Sequence, residues 1–137
     1  MPPEIKHYWL YALRLEKGKY YIGITSLKDP NTRIKQHVNG FIGAKWTEKY
    51  KPVASAHKPI DLGYITLEQA QGFEYERTRR FMDKYGYNNV RGADLAYCGM
   101  YLKLGSLFIP WSYVIQLFGY ILILVAILSL YFKAYRS

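Results

Sequence analysis

Glu74 is the side chain whose position asks most for a chemical explanation. On a helix running from Leu67 to about Tyr85, the 3.6-residue repeat places Leu67, Ala70, Glu74, Thr78, Phe81, Met82 and Tyr85 on one face. Gln69, Glu76, Arg79, Arg80 and Asp83 fall on the solvent side. A carboxylate on an inward face needs a metal ion, an arginine or a hydrogen bond. Helix geometry leaves a metal ligand and a structural pair with an Arg or Tyr equally open. A shorter helix carries Arg33 and His37, one turn apart on one face. Upstream stand two tyrosine motifs, Trp9-Leu10-Tyr11 and Tyr21-Ile22-Gly23, on either side of one tight turn. Taken singly, Tyr11 and Tyr21 read as hairpin core, His37 as a core or surface imidazole, and Arg33 as a phosphate anchor.

The elements that must hold these residues follow from the same sequence. His7 to Leu15 and Tyr20 to Thr25 are rich in strand formers and flank the turn Glu16-Lys17-Gly18-Lys19, which predicts an antiparallel hairpin. Asp29-Pro30 opens the short helix as N-cap and first helical residue, and Asn39-Gly40 closes it. Gly43-Ala44-Lys45-Trp46-Thr47 is expected as a loop, and Val53 to His57 as a third strand. Thr66 caps the long helix and Gly86 stops it. Asn88-Asn89-Val90-Arg91-Gly92 reads as a turn, and residues 93–103 as a connector into the span, with a helix as one form open to it. The expected fold class is α+β: a small three-stranded antiparallel sheet flanked by helices, plus one C-terminal transmembrane helix.

No charged residue lies between Lys103 and Lys133. Crossing a bilayer core takes about 20 apolar residues in a helix, which Ser112 to Phe132 supplies. Its Val, Ile, Leu and Phe residues sum to roughly −4 to −8 kcal/mol of insertion free energy. Trp111 and Tyr113 at one end, and Tyr131 and Tyr135 at the other, suit the two interfaces. Pro110 is expected at the helix start. The division predicted is therefore a catalytic-sized domain over 1–103 and an anchor with a short basic tail over 104–137. Flanking charge is balanced, with Arg91 and Lys103 before the span and Lys133 and Arg136 after it. The span ends close to the last residue, and the N-terminus lacks a secretory apolar core. Those two features place the domain in the cytoplasm, on a single-pass, tail-anchored chain.

Residues 1–103 carry 17 Lys or Arg against 10 Asp or Glu, an excess that favours nucleic acid or anionic lipid. Eleven of the chain's 15 tyrosines lie among these cations and can stack on bases while Lys and Arg contact phosphates. Cys98 is the only cysteine, which excludes an internal disulfide and a thiolate metal site. His7, His57 and Cys98 have no zinc-type spacing.

Taken in order, these motifs resemble those of the GIY-YIG endonuclease family. Trp9-Leu10-Tyr11 and Tyr21-Ile22-Gly23 are similar to its paired motif, with Trp9 and Leu10 in place of the family's glycine and isoleucine. Arg33 with Gln36-His37 resembles its helix arginine and following histidine. Gly43 to Thr47, then Tyr50-Lys51-Pro52, resembles the loop and third-strand entry of small members. Glu74 with Thr78, Met82 and Tyr85-Gly86, then Asn88 to Gly92, resembles its glutamate helix and asparagine turn. The lysine that some members carry after the second motif is absent, and Thr25 occupies that region.

The resemblance implies hydrolysis of a phosphodiester with Mg²⁺ or Mn²⁺. Glu74 would hold the metal, with Glu76 as the alternative register. Arg33 would neutralise the scissile phosphate, and Tyr11 would orient or deprotonate water with support from Tyr21. His37 would bond the phosphate or relay a proton, and Asn89, or Asn88, would fix the loop. Lys45, Lys49, Lys51 and Arg91 would contact the nucleic-acid backbone, DNA rather than RNA. With the C-terminal helix in a membrane, the expectation is a tethered endonuclease, in phage-DNA defence or processing of incoming DNA. The alternative is an inactive membrane-anchored module binding nucleic acid or anionic lipid.

Overall fold

The computed structural model describes residues 1–40, 43–95 and 99–136. It divides into two compact units, Met1–Cys98 and Gly99–Ser137. Cys98 lies outside the described residues.

In the first unit, β1 (Ile5–Leu15) and β2 (Tyr20–Thr25) form the hairpin, joined by a single 3-10 turn in which Lys17 and Gly18 take positive φ. The register pairs Trp9 with Thr25, Tyr11 with Gly23 and Leu13 with Tyr21. Side chains alternate across a strand, so Tyr11, Leu13, Leu15 and Tyr21 share one face while Leu10, Ala12 and Ile22 share the other. Two helices serve the first face. α1 (Pro30–Asn39) starts where Asp29 accepts from the Asn31 N–H at 3.0 Å, and stops at Gly40 in the left-handed region. α2 (Lys45–Lys49) occupies ground expected as loop. Its Trp46 joins Tyr11, Leu13 and Leu15 in the core and donates to the Tyr20 carbonyl at 3.0 Å.

α3 (Leu67–Tyr85) buries Ala70, Glu74, Thr78, Phe81 and Met82 and packs on β1 and β2. It begins in a reciprocal cap: Thr66 Oγ1 accepts from the Gln69 N–H and Gln69 Oε1 accepts from the Thr66 N–H.

The expected three-stranded antiparallel sheet is corrected to a mixed sheet of five. β3 (Pro52–Ser55) and β4 (Ile60–Thr66) both pair antiparallel with β1, at different stretches of its length, and β5 (Val90–Arg91) pairs parallel with β2. β4 is masked in the sequence by Asp61 and Gly63. Gly63 takes φ +74° at a register shift, with its N–H held by Asp61 Oδ1 at 2.8 Å.

In the second unit, β6 (Tyr101–Leu104) and β7 (Leu107–Pro110) form a hairpin where a helical connector was one expectation. Pro110 ends β7 instead of starting the helix. α4 (Trp111–Arg136) has a mean hydropathy of 2.4 in its most apolar window and is long and apolar enough to cross a membrane.

Candidate active site

Gly23 lets the site form. It lies across the hairpin from Tyr11, and the Tyr11 ring covers it: a Cβ there would stand 2.6 Å from Tyr11 Cζ and closer still to the hydroxyl. The phenol, 1% exposed, reaches α1, where its oxygen lies 2.8 Å from His37 Nε2. On the far side of the imidazole, Nδ1 lies 3.2 Å from Thr47 Oγ1 on α2. Thr47 commits its one hydroxyl proton to the Ala44 carbonyl at 2.8 Å, so its oxygen must accept from His37 Nδ1–H. That assignment leaves Nε2 as an acceptor and makes Tyr11 the donor to it. The directional series is therefore Tyr11 to His37 to Thr47 to the Ala44 carbonyl.

Burial sets the charge states. Desolvation pushes the Tyr11 phenol well above its ordinary 10, reinforced by Tyr21 and opposed by the charge of Arg33 and its hydrogen bond. Tyr21 is pushed up to about 12, again by desolvation and then by the Glu74 charge. Neither tyrosine is a phenolate at neutral pH. His37 is lowered to about 4 by desolvation and then by Arg33, so its ring is neutral. Tyr21 closes the group, its ring centroid 5.1 Å from His37 and 6.4 Å from Tyr11. Arg33 also holds Gln36 Oε1 at 3.1 Å and lines an open depression with Thr25, Ser26 and Leu27.

Glu74 acts by charge on both phenols. Its carboxyl is 9% exposed and is raised above the usual range, first by desolvation; the Ala93 N–H opposes the shift and Asp94 adds to it. Ala93 presents that N–H from φ +50°, a strained setting for a side chain with a Cβ. Glu74 opens into a cleft of about 500 Å³ lined by Gln71, Tyr75, Ala93 and Asp94. Among the described residues no group of three or more His, Cys, Asp or Glu could hold a metal. A single buried carboxylate with other oxygens nearby nevertheless fits a hard divalent ion that keeps most of its waters. Glu76 is exposed, on the opposite flank of α3 from this cleft.

The remaining predicted residues lie around this centre. Asn89 ties three elements: its Nδ2 donates to the Tyr85 carbonyl at 2.8 Å, its Oδ1 accepts from Lys19 at 2.6 Å, and its carbonyl accepts from the Tyr20 N–H. None of these bonds is to Tyr11 or Tyr21. α2 turns Thr47 inward and exposes Lys45 and Lys49, with exposed Lys51 just beyond. Arg91 departs from its expected role. It is fully buried, donates to the carbonyls of Tyr87 and Val90 and lies 4.3 Å from the Trp46 ring centre, so it is a core residue and not a backbone contact.

The GIY-YIG catalytic-domain family model matches residues 7–84. The chain belongs to the GIY-YIG family. That makes it a member of a nuclease family and agrees with the ordered motifs. Searches of curated proteins and of solved structures find no match. The GIY-YIG match takes in Tyr11, Tyr21, Arg33, His37 and Glu74 and stops before Asn89 and Ala93. Two partners of the GIY-YIG site, Thr47 and Ala93, carry no signal of their role in the sequence. Thr47 stands ten positions from His37 with no periodic relation to it. Ala93 acts through its backbone, which leaves no mark in residue type.

Proposed function

We propose that this chain is a membrane-tethered, metal-dependent endonuclease that hydrolyses DNA, with Tyr11, Tyr21, Arg33, His37 and Glu74 at its active site and Asn89 as their support. The observation that carries the reading is the directional series from Tyr11 through His37 to Thr47 beside Arg33 and Glu74. With its O–H donated in a hydrogen bond to His37 and one lone pair accepting from Arg33, the Tyr11 oxygen keeps one lone pair to accept from an attacking water. As the water loses its proton to Tyr11, the Tyr11 proton moves to Nε2 of the neutral imidazole, so no free phenolate is required. Arg33 offsets charge on the phosphate, and Thr47 keeps the imidazole in the accepting tautomer. Glu74 would hold Mg²⁺ or Mn²⁺, which would supply Lewis acidity to the phosphodiester. Lys45, Lys49 and Lys51 guide the nucleic-acid backbone beside α2.

α4 supports tethering, which raises the local concentration of enzyme at DNA crossing the membrane. A cytoplasmic domain acting on phage or other incoming DNA suits that arrangement. The test is cleavage of labelled single- and double-stranded DNA by the full chain in neutral detergent, with Mg²⁺, Mn²⁺ or EDTA. Metal-dependent cutting lost in Glu74→Ala and kept in Glu76→Ala supports the assignment. Absence of cutting on every strand form by folded protein, with unaltered binding, would favour the inactive module instead.

A further inference from the structure

We propose that a groove between β4 and the outer flank of α3 binds a flank of the single strand being cut, as a second nucleic-acid contact separated from Glu74 by the width of α3. This rests on the nuclease reading and names a further part of its substrate surface. Phe73, Arg77, Arg80 and Lys84 recur at i, i+4, i+7 and i+11 and so form one stripe of α3. Phe73, Arg77 and Arg80 line a groove of about 280 Å³, floored by Ile60 and Leu62 of β4 and Leu10 of β1. The Glu74 cleft, with Gln71 and Tyr75, lies on the other flank of the same helix.

The groove has charge and stacking surface in excess of what the fold uses. Among the described residues neither Arg77 nor Arg80 has an ion pair. Arg77 rests on the Phe81 ring at 5.2 Å, and its shielded Nε has no acceptor. A desolvated guanidinium nitrogen without an acceptor is unfavourable, and re-aiming the side chain onto an anion removes that penalty. His57, in the loop between β3 and β4, packs on the same ring and donates its Nδ1–H to the Lys58 carbonyl at 2.7 Å. Phe73 is half exposed beside these cations. An apolar ring beside two guanidinia without ion pairs suits a base stacked on Phe73 with its phosphates on Arg77 and Arg80. Charge complementarity selects a polyanion over an apolar protein segment, and the exposed Phe73 ring beside the arginines selects stacked bases with their phosphates over an acidic protein segment. Glu76, also on the groove, confines the phosphates to the arginine side. A helix is about 10–12 Å across, so a strand leaving the Glu74 cleft crosses α3 within a few nucleotides.

The test is fluorescence anisotropy of the full chain in neutral detergent with EDTA, using labelled oligothymidylates of about 4 and about 16 nucleotides. Phe73→Ala and the double variant Arg77→Gln/Arg80→Gln are expected to weaken the long strand about tenfold and leave the short one unchanged. Glu76→Gln is expected to tighten the long strand. Equal losses on both lengths, or no change in any variant, overturns the groove. So does unchanged DNA affinity with weakened binding to micelles containing phosphatidylserine, which would assign it to lipid headgroups. Metal-dependent cutting of the short strand by the unsubstituted chain is scored in parallel. If that cutting persists while the groove variants behave like the parent, the groove proposal fails and the nuclease reading stands. If the unsubstituted chain binds neither strand, the groove proposal fails; if it also cuts neither single- nor double-stranded DNA, the nuclease reading fails with it.

Discussion

Replacing Gly23 by alanine should damage stability and activity together, for one geometric reason. The added methyl would stand 2.6 Å from Tyr11 Cζ and 3.1 Å from Cε2, against about 3.5–4.0 Å for carbon atoms in ordinary contact. The ring must retreat by about 1 Å. It has nowhere easy to go, since it is 1% exposed and held between His37 and Tyr21, with ring centroids at 5.8 and 6.4 Å. A retreat of that size takes the 2.8 Å bond to His37 beyond hydrogen-bonding range. Overpacking costs about 1–3 kcal/mol, and the stranded buried nitrogen adds about 1 kcal/mol or more. For a domain near one hundred residues the melting midpoint should fall by roughly 10–20 °C. Misplacement by about 1 Å should slow cutting about 100-fold in whatever fraction stays folded. Thermal melts and single-turnover cleavage of the full chain measure the two effects. Gly72→Ala, an addition into open space on α3, is the matched control and should be neutral or slightly stabilising. In a Tyr11→Leu background, Gly23→Ala should lose much of its effect on stability, a coupling of about 1–2 kcal/mol. A Gly23→Ala protein that melts and cuts like the parent would refute the reasoning.

Other consequences follow from the same contacts. Thr47→Val leaves His37 Nδ1–H without an acceptor, so it should cost about 1–3 kcal/mol in urea titrations and disturb the imidazole tautomer seen by nitrogen NMR, while Thr47→Ser restores both. Because burial holds His37 near 4, the unfolded chain binds more protons than the native one between about pH 4 and 6.5. Stability should therefore rise with pH across that window, by about 2 kcal/mol after solvent screening, and follow the urea midpoint. Glu74 has the opposite sign: its raised proton affinity makes the ionised form unfavourable in the native state, so stability is lost as pH rises past the ordinary carboxyl range. Glu74→Gln should thus melt higher than the parent at neutral pH while losing Mn²⁺ binding measured by calorimetry. Arg91→Leu strands the Tyr87 and Val90 carbonyls and should destabilise by about 2–4 kcal/mol in urea, with DNA affinity of the folded protein unchanged.

The parts legible in the sequence were those with a local cause. The hairpin, the caps at Asp29 and Thr66, the terminators Gly40 and Gly86 and the inward face of α3 all follow from periodicity and residue type. So do the inward placing of Glu74 and the outward placing of Glu76, which are a matter of helical phase. The parts that were hidden depend on distant partners. β4 has weak strand propensity at Asp61 and Gly63 and exists because β1 is long enough to pair with two strands on one side. β5 is two residues long and exists because β2 offers it a parallel edge. Arg91 carries the same side chain whether it faces DNA or Trp46, and only packing decides. Thr47 lies in a segment read as loop, so nothing local aims its hydroxyl at His37.

The low proton affinity of His37 would look like a defect in a proton relay unless it depended on the substrate. Desolvation contributes most to the depression, and the Arg33 charge contributes next. In the proposed site Arg33 binds the scissile phosphate, and a bound phosphate cancels the charge that opposes protonation of His37. The imidazole would then stay neutral in free enzyme, protected from protonation by solvent, and become the better base as the phosphate arrives. Removing the charge without the phosphate should reproduce the electrostatic part of that effect. Arg33→Met should raise the His37 midpoint above about 4 in an NMR titration of the free protein, without restoring the ordinary 6.5, because burial remains. Cutting should fall despite the better base, since the phosphate loses its counter-charge. A His37 midpoint that stays near 4 in Arg33→Met would assign the depression to burial alone and remove the substrate-dependent step from the mechanism.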